Sequence, residues 1–219
     1  CPEGTEGGGF EAMSDPTPRV DPPQKSVQGR AAIIFYRALV QSGQTALVEA
    51  MAEALAARGM AVTPIFVSSL KDEVSAATVA RLFETDPPDI VVNMTGFAVS
   101  TPGAERVPTV LEATGAPVLQ AVLAGGSAET WTESSQGLGA RDLAMNVALP
   151  EVDGRVLSRA VAFKAAETFD EATQCNIVRH RPVADRVGFV ADLVDVGYVD
   201  TEALHEALVT QNVDRRLRG

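Results

Sequence analysis

The sequence predicts an α/β domain in which a parallel sheet is wound with helices on both faces. Three observations carry that expectation. Hydrophobic residues make up 46% of the 219 positions and aromatic residues only 5%, a balance that suits helices and buried strands better than an aromatic-rich sandwich. Short apolar runs of strand length recur, separated by segments with helical spacing. Glycine and proline punctuate the alternation where elements should stop.

Residues 1–30 hold Gly7-Gly8-Gly9, Pro16, Pro18, Pro22 and Pro23 among polar residues without periodicity, and are expected to form a linker or irregular arm. The texture changes at Ala31. The run Ala31 to Tyr36 is short, apolar and rich in β-formers, as a strand buried on both faces should be. From Thr45 to Arg58, Leu47, Met51, Leu55 and Ala56 share one helical stripe, and Gly59 supplies the stop. The unit then repeats. A strand is expected over Ala61 to Val67, a helix over Val74 to Phe83, a turn at Pro87-Pro88 and a strand over Asp89 to Met94. A third helix is expected over Ala104 to Thr114 and a strand over Val118 to Leu123. Beyond that come a short helix over Ala128 to Ser134, strands over Met145 to Leu149 and Arg159 to Phe163, and helices over 184–195 and 201–212. Parallel strands joined by helix-length crossovers wind right-handedly. The expected architecture is a flavodoxin-like doubly wound sheet over residues 31–182, preceded by the arm and followed by C-terminal helices over 183–219.

Composition excludes several function classes. A formal charge of -11 disfavours surfaces that track nucleic acid phosphates or anionic lipids. No apolar run reaches the roughly 20 residues that span a bilayer. The start, CPEGTEGGG, lacks signal-peptide character, so a cytoplasmic location is expected. A first residue other than Met suggests an excised segment. Two cysteines and two histidines, Cys1, Cys175, His180 and His205, form no clustered metal motif, so no protein-held metal is expected.

In such a sheet, ligands bind beyond the carboxyl ends of the strands. Four polar clusters fall there: Tyr36-Arg37 with Gln41 to Thr45, Ser68 to Lys71, Asn93 to Gly96, and Leu123 to Ser127. Each also suits an ordinary turn or helix cap. Gly125-Gly126-Ser127 is not followed by the lysine of a phosphate-binding loop, so nucleotide binding has no positive motif. The segment Leu149 to Arg155 sets Glu151 and Asp153 two residues apart beside an arginine. Paired carboxylates accept protons or hold a cation. The same residues also suit a tight turn at Asp153-Gly154 with a structural ion pair. Arg141-Asp142 is either a helix charge pair or an anchor for ligand carboxylates.

Taken in order, Phe35 to Gln41, Phe66 to Asp72, Asn93 to Ala98, Pro117 to Gln120, Ser135 to Leu138, Arg141 to Val147 and Leu149 to Arg155 resemble the CobN-type large subunits of aerobic cobaltochelatases. Magnesium chelatase H subunits are more distantly similar, sharing an L-P-E-x-D-G segment. The likeness runs from about Ala31 to Leu193 and fades beyond it. It implies part of a tetrapyrrole-binding subunit that inserts cobalt, a substrate, into hydrogenobyrinic acid a,c-diamide during cobalamin synthesis. It implies two AAA+-related partner subunits that use ATP, and an isolated chain without chelatase activity. The residues that the resemblance carries over are Glu151 and Asp153 as catalytic acids or bases. For substrate binding they are Tyr36, Arg37, Gln41, Ser68, Lys71, Asn93, Thr95, Gln120, Arg141, Asp142 and Asn146. Two competing readings are a non-catalytic scaffold that docks the ATPase partners and a free-standing binding protein for a small ligand.

Overall fold

The computed structural model describes residues 29–100, 108–133, 137–172 and 174–199. Six strands form one sheet in the order β2-β1-β3-β4-β5-β6. These are β1 (Gly29–Tyr36), β2 (Met60–Val67), β3 (Ile90–Asn93), β4 (Val118–Leu123), β5 (Val156–Asp170) and β6 (Cys175–Pro182). The first five run parallel, and the segments at Ile33, Ile65, Val91 and Leu119 are neighbours as the sequence predicts.

The central strands are largely apolar on both faces because helices cover both sides of the sheet, with Asn93 and Gln120 as buried polar exceptions. On one face, Ile33, Phe35, Val92 and Leu119 pack under α2 (Ala46–Ala56), through Leu47, Met51 and Leu55, and under α7 (Ala184–Val199), through Val187, Val190 and Ala191. On the other, Ile34, Val67, Val91 and Val118 pack under α3 (Glu73–Thr85), through Val79 and Phe83, and against Leu111. The α7 segment from Val187 to Val194 therefore joins the same core as the sheet. Gly59 ends the α2 segment at φ +87°, where a side chain would be strained. Pro64 sits in β2, which among the described residues is an edge strand, the place where a missing N–H is tolerated.

Three expectations are corrected. The sheet is mixed, because β6 pairs antiparallel with β5. The polar run CNIVRHRP is mostly exposed along β6, so it has no apolar alternation to read. Met145 to Leu149 is not a strand. It forms a π-helical turn, Ala144–Ala148, between α5 (Ala140–Leu143) and α6 (Leu149–Val152), making one helical stretch. The widened turn lies just before Pro150, whose ring and missing N–H disturb regular helical bonding. Of the helix expected over Ala104 to Thr114, the described part holds only a 3-10 turn, Val110–Glu112. Pro108 disfavours helix immediately before it, and Thr109 starts the turn with a reciprocal Thr109–Glu112 cap. Of the arm expected over 1–30, Gly29 and Arg30 belong to β1; residues 1–28, residues 101–107 and the helix expected over 201–212 lie outside the described residues.

Candidate functional site

Strands β1 and β3 are neighbours whose following connections leave for opposite faces, via α2 and via Leu111, so a crevice opens at their carboxyl ends. The last residue of β1, Tyr36, donates its hydroxyl to the Gly96 carbonyl at 3.1 Å. Burial raises the Tyr36 pKa, only partly opposed by the Gly96 contact and nearby Arg155, so the phenol stays protonated at neutral pH.

Beneath the crevice lies a buried polar network. The Asn93 amide donates to Gln120 Oε1 at 2.8 Å and to the Thr95 carbonyl at 3.0 Å. Thr95 Oγ1 donates to Asn93 Oδ1 at 2.9 Å, and Gln120 Nε2 donates to the Thr95 carbonyl at 2.9 Å. All three residues are essentially inaccessible to solvent. Amides in such a place are tolerated because they satisfy one another.

Arg155 enters the network from the start of the β5 segment. Its Nη1 lies 3.4 Å from both the Thr95 carbonyl and Gln120 Oε1, and its Nη2 is 2.8 Å from Asp153 Oδ2. The Asp153 carboxylate also accepts the Val99 N–H at 2.7 Å and the Ser100 N–H at 2.9 Å. Burial alone would raise the Asp153 pKa. The Val99 and Ser100 donors and the Arg155 charge outweigh it and hold the carboxyl below its usual range. Gly154, at φ +73°, reverses the chain between the two partners.

Tyr36, Lys71, Thr95, Phe97, Val99 and Arg155 line a cleft of about 280 Å³ over this network. Lys71 is exposed on the loop after β2, where Asp72 caps α3 by accepting the Ser75 N–H at 2.9 Å. Phe97 has φ +65°, a conformation unfavourable for an aromatic residue, and its N–H donates to the Met145 carbonyl at 2.8 Å. At Gly96 a Cβ would stand 2.8 Å from Asn146 Oδ1 and 3.2 Å from the Met145 carbonyl, so a side chain there would displace the Asn146 amide and crowd the π turn.

Thus Tyr36, Lys71 and Thr95 meet at the cleft, Asn93, Gln120 and Asp153 support it from below, and Asn146 abuts its Gly96 wall. The remaining candidates lie apart. Arg37 and Gln41 are exposed on α1 (Arg37–Gln41). Ser68 bonds to Asp72 at 3.1 Å and to Ser75 at 2.9 Å in the α3 cap. Arg141 is exposed on α5, whereas Asp142 accepts the Gly125 N–H at 2.8 Å and borders a separate depression with Trp131 and Phe163. Glu151 is exposed on α6. Sequence reasoning missed Arg155 and Phe97 as cleft residues. The signal for Arg155 was its place two residues after Asp153, and Phe97 follows the Asn93 to Gly96 cluster.

Among the described residues, no group of three or more His, Cys, Asp or Glu is placed to hold a metal ion, and no helix is long and apolar enough to cross a membrane.

Comparison with known proteins gives concordant matches. The family model CobN/Magnesium Chelatase matches residues 9–197. The aerobic cobaltochelatase subunit CobN of a Sinorhizobium species is 62% identical over 161 residues, covering 74% of this chain. The subunit of the same name from Pseudomonas aeruginosa is 38% identical over 162 residues, again 74% of this chain. The chain spans 13% of the length of each of these relatives. The solved catalytic subunit of cobaltochelatase from Mycobacterium tuberculosis superposes with a TM-score of 0.62 at 23% identity, over 78% of this chain and 14% of that one. At that identity the superposition speaks for the fold alone.

Proposed function

The chain belongs to the CobN/magnesium chelatase family, and from that premise we propose that it forms part of the large, ring-holding subunit of a cobaltochelatase. The observation that carries the reading is the 62% identity, over 161 residues, to a protein named as an aerobic cobaltochelatase subunit, CobN. The reaction is ATP-dependent insertion of cobalt, a substrate, into hydrogenobyrinic acid a,c-diamide in cobalamin synthesis, with two AAA+-related partners using the ATP in the cytoplasm. Insertion requires that the ring distort and that its pyrrole N–H protons leave to acceptors.

Within this chain, the exposed carboxylate of Glu151 is suited to accepting such protons. Asp153 is committed to Arg155 and to the Val99 and Ser100 N–H groups, so its part is to hold the guanidinium and the 97–100 loop in register. Tyr36, Lys71 and Thr95 meet the ring side of the cleft, with Asn93 and Gln120 fixing Thr95. Arg37, Gln41, Ser68, Arg141, Asp142 and Asn146 lie further out as contacts of the surrounding rim. The chain supplies only one wall of the complete site, consistent with its 13% share of the relatives' length.

A specific observation favours a second, docking role. β5 and β6 extend as a two-stranded ribbon past β4, and Phe169, Ile177 and Val178 are exposed on it. Such a ribbon is marginal by itself and gains stability when another surface covers it.

The experiment is a segment exchange. The matching segment of the Sinorhizobium subunit is replaced by this chain, and cobalt insertion is measured with the ATPase partners present. The hybrid is expected to chelate at a rate within about tenfold of the parent, since that factor amounts to only about 1.4 kcal/mol. A folded hybrid that binds its partners and inserts no cobalt contradicts the reading.

A further inference from the structure

The cleft lined by Tyr36, Lys71, Phe97 and Arg155 has three properties that bear on what it takes. First, Arg155 is 4% exposed, and its Nε–H is buried with no hydrogen-bond partner. A buried donor left unmatched is rare in native proteins and costs stability unless something completes it. The two Nη1 contacts are long, at 3.4 Å, so the guanidinium has donor capacity to spare. Second, Lys71 adds an exposed ammonium at the same cleft, and among the described residues no carboxylate is paired with it. Third, Phe97 is 49% exposed at the rim while its backbone occupies the left-handed region. Conformations of that kind persist where surrounding contacts hold them, and they gather at ligand sites.

We propose that this cleft receives a carboxylate group of a flat, conjugated ligand, with Arg155 and Lys71 as anion receptors and Phe97 as the aromatic rim against which the ring lies. The proposal rests on the reading of the chain as part of a ring-holding subunit and deepens it by naming the contact. At about 280 Å³ the cleft falls just below the roughly 300–1,000 Å³ that encloses drug-sized ligands. It therefore takes a side group while the ring stays outside. Arginine's planar fork suits a carboxylate. Asp153 does not close the site, because its oxygens also serve the Val99 and Ser100 N–H groups. The Tyr36 hydroxyl, its proton already given to the Gly96 carbonyl in a hydrogen bond, borders the same space as an uncharged group.

The test titrates the chain with coproporphyrin, a flat tetrapyrrole bearing carboxylates, and with its fully amidated form, following absorbance. Lys71 and Phe97 are exposed, so Lys71→Met and Phe97→Gly keep the fold, and glycine also relieves the positive φ at 97. The acid form is expected to bind roughly tenfold tighter than the amide, about the worth of one charge-assisted hydrogen bond. Lys71→Met should erase most of that preference without weakening the amide. Phe97→Gly should weaken both forms. Equal binding of acid and amide, unaltered in Lys71→Met, overturns the carboxylate role while ring binding stands. Failure of the unaltered chain to bind either form overturns the proposal together with ring binding by this segment.

Discussion

Replacing Asp153 with alanine strands the Arg155 guanidinium in the interior without its carboxylate, and the domain is expected to lose about 3–5 kcal/mol. Both side chains are almost wholly inaccessible, at 2% and 0% exposure for Arg155 and Asp153. The substitution also leaves the Val99 and Ser100 N–H groups without their acceptor, which loosens the loop carrying Phe97. Urea denaturation reads the loss. Asp153→Ala combined with Arg155→Met should recover much of it, because removing both charges ends the desolvation penalty that one buried charge suffers alone. The same pair gives stability a pH dependence. The folded-state pKa of Asp153 lies below its unfolded value. Its contribution is therefore complete above about pH 4, the ordinary carboxylate value, and drains away as pH falls through the lower folded-state value. In Asp153→Asn that part of the acid limb should be missing.

Glu151→Gln is expected to do the opposite: little to stability and much to rate. The side chain is exposed on α6, so the melting temperature should move by less than the few degrees that about 1 kcal/mol produces. In the complete subunit with its ATPase partners, loss of a proton acceptor should slow cobalt insertion by about a hundredfold, the lower range for general base catalysis. Ring affinity should change little. A variant that chelates at the parental rate removes Glu151 from the chemistry, and one that melts early makes it a structural residue.

The contrast between these two carboxylates shows how far the sequence could be read. Glu151 and Asp153 are two residues apart in one short segment, and spacing alone gave them the same standing. Their environments separate them. Gly154 turns the chain so that Asp153 and Arg155 both point inward while Glu151 stays on the surface. The central strands β1, β3 and β4 were legible because burial on both faces leaves short, largely apolar runs, as in Ile90 to Val92 before Asn93. β6 was not, since an exposed ribbon does not need an apolar pattern. Met145 to Leu149 alternates apolar and small or polar residues over too few positions to distinguish a strand from a helix. The decision there falls to its continuity with Ala140–Leu143 and to Pro150. Asn93, Thr95 and Gln120 were legible as polar residues at strand ends. That they form the floor of the cleft, with Arg155 and Phe97 completing it, depends on β3, β4 and β5 being adjacent.

Hydrogen exchange of the complete subunit, with and without saturating hydrogenobyrinic acid a,c-diamide, tests most directly whether this segment forms a wall of the ring site. Backbone amides over 68–72 and 95–100, the two loops that bound the cleft, are expected to exchange more slowly when the ring is bound. The outer strand β2 should be unchanged. Saturated ring binding with identical exchange in both loops would place the ring elsewhere and contradict the account.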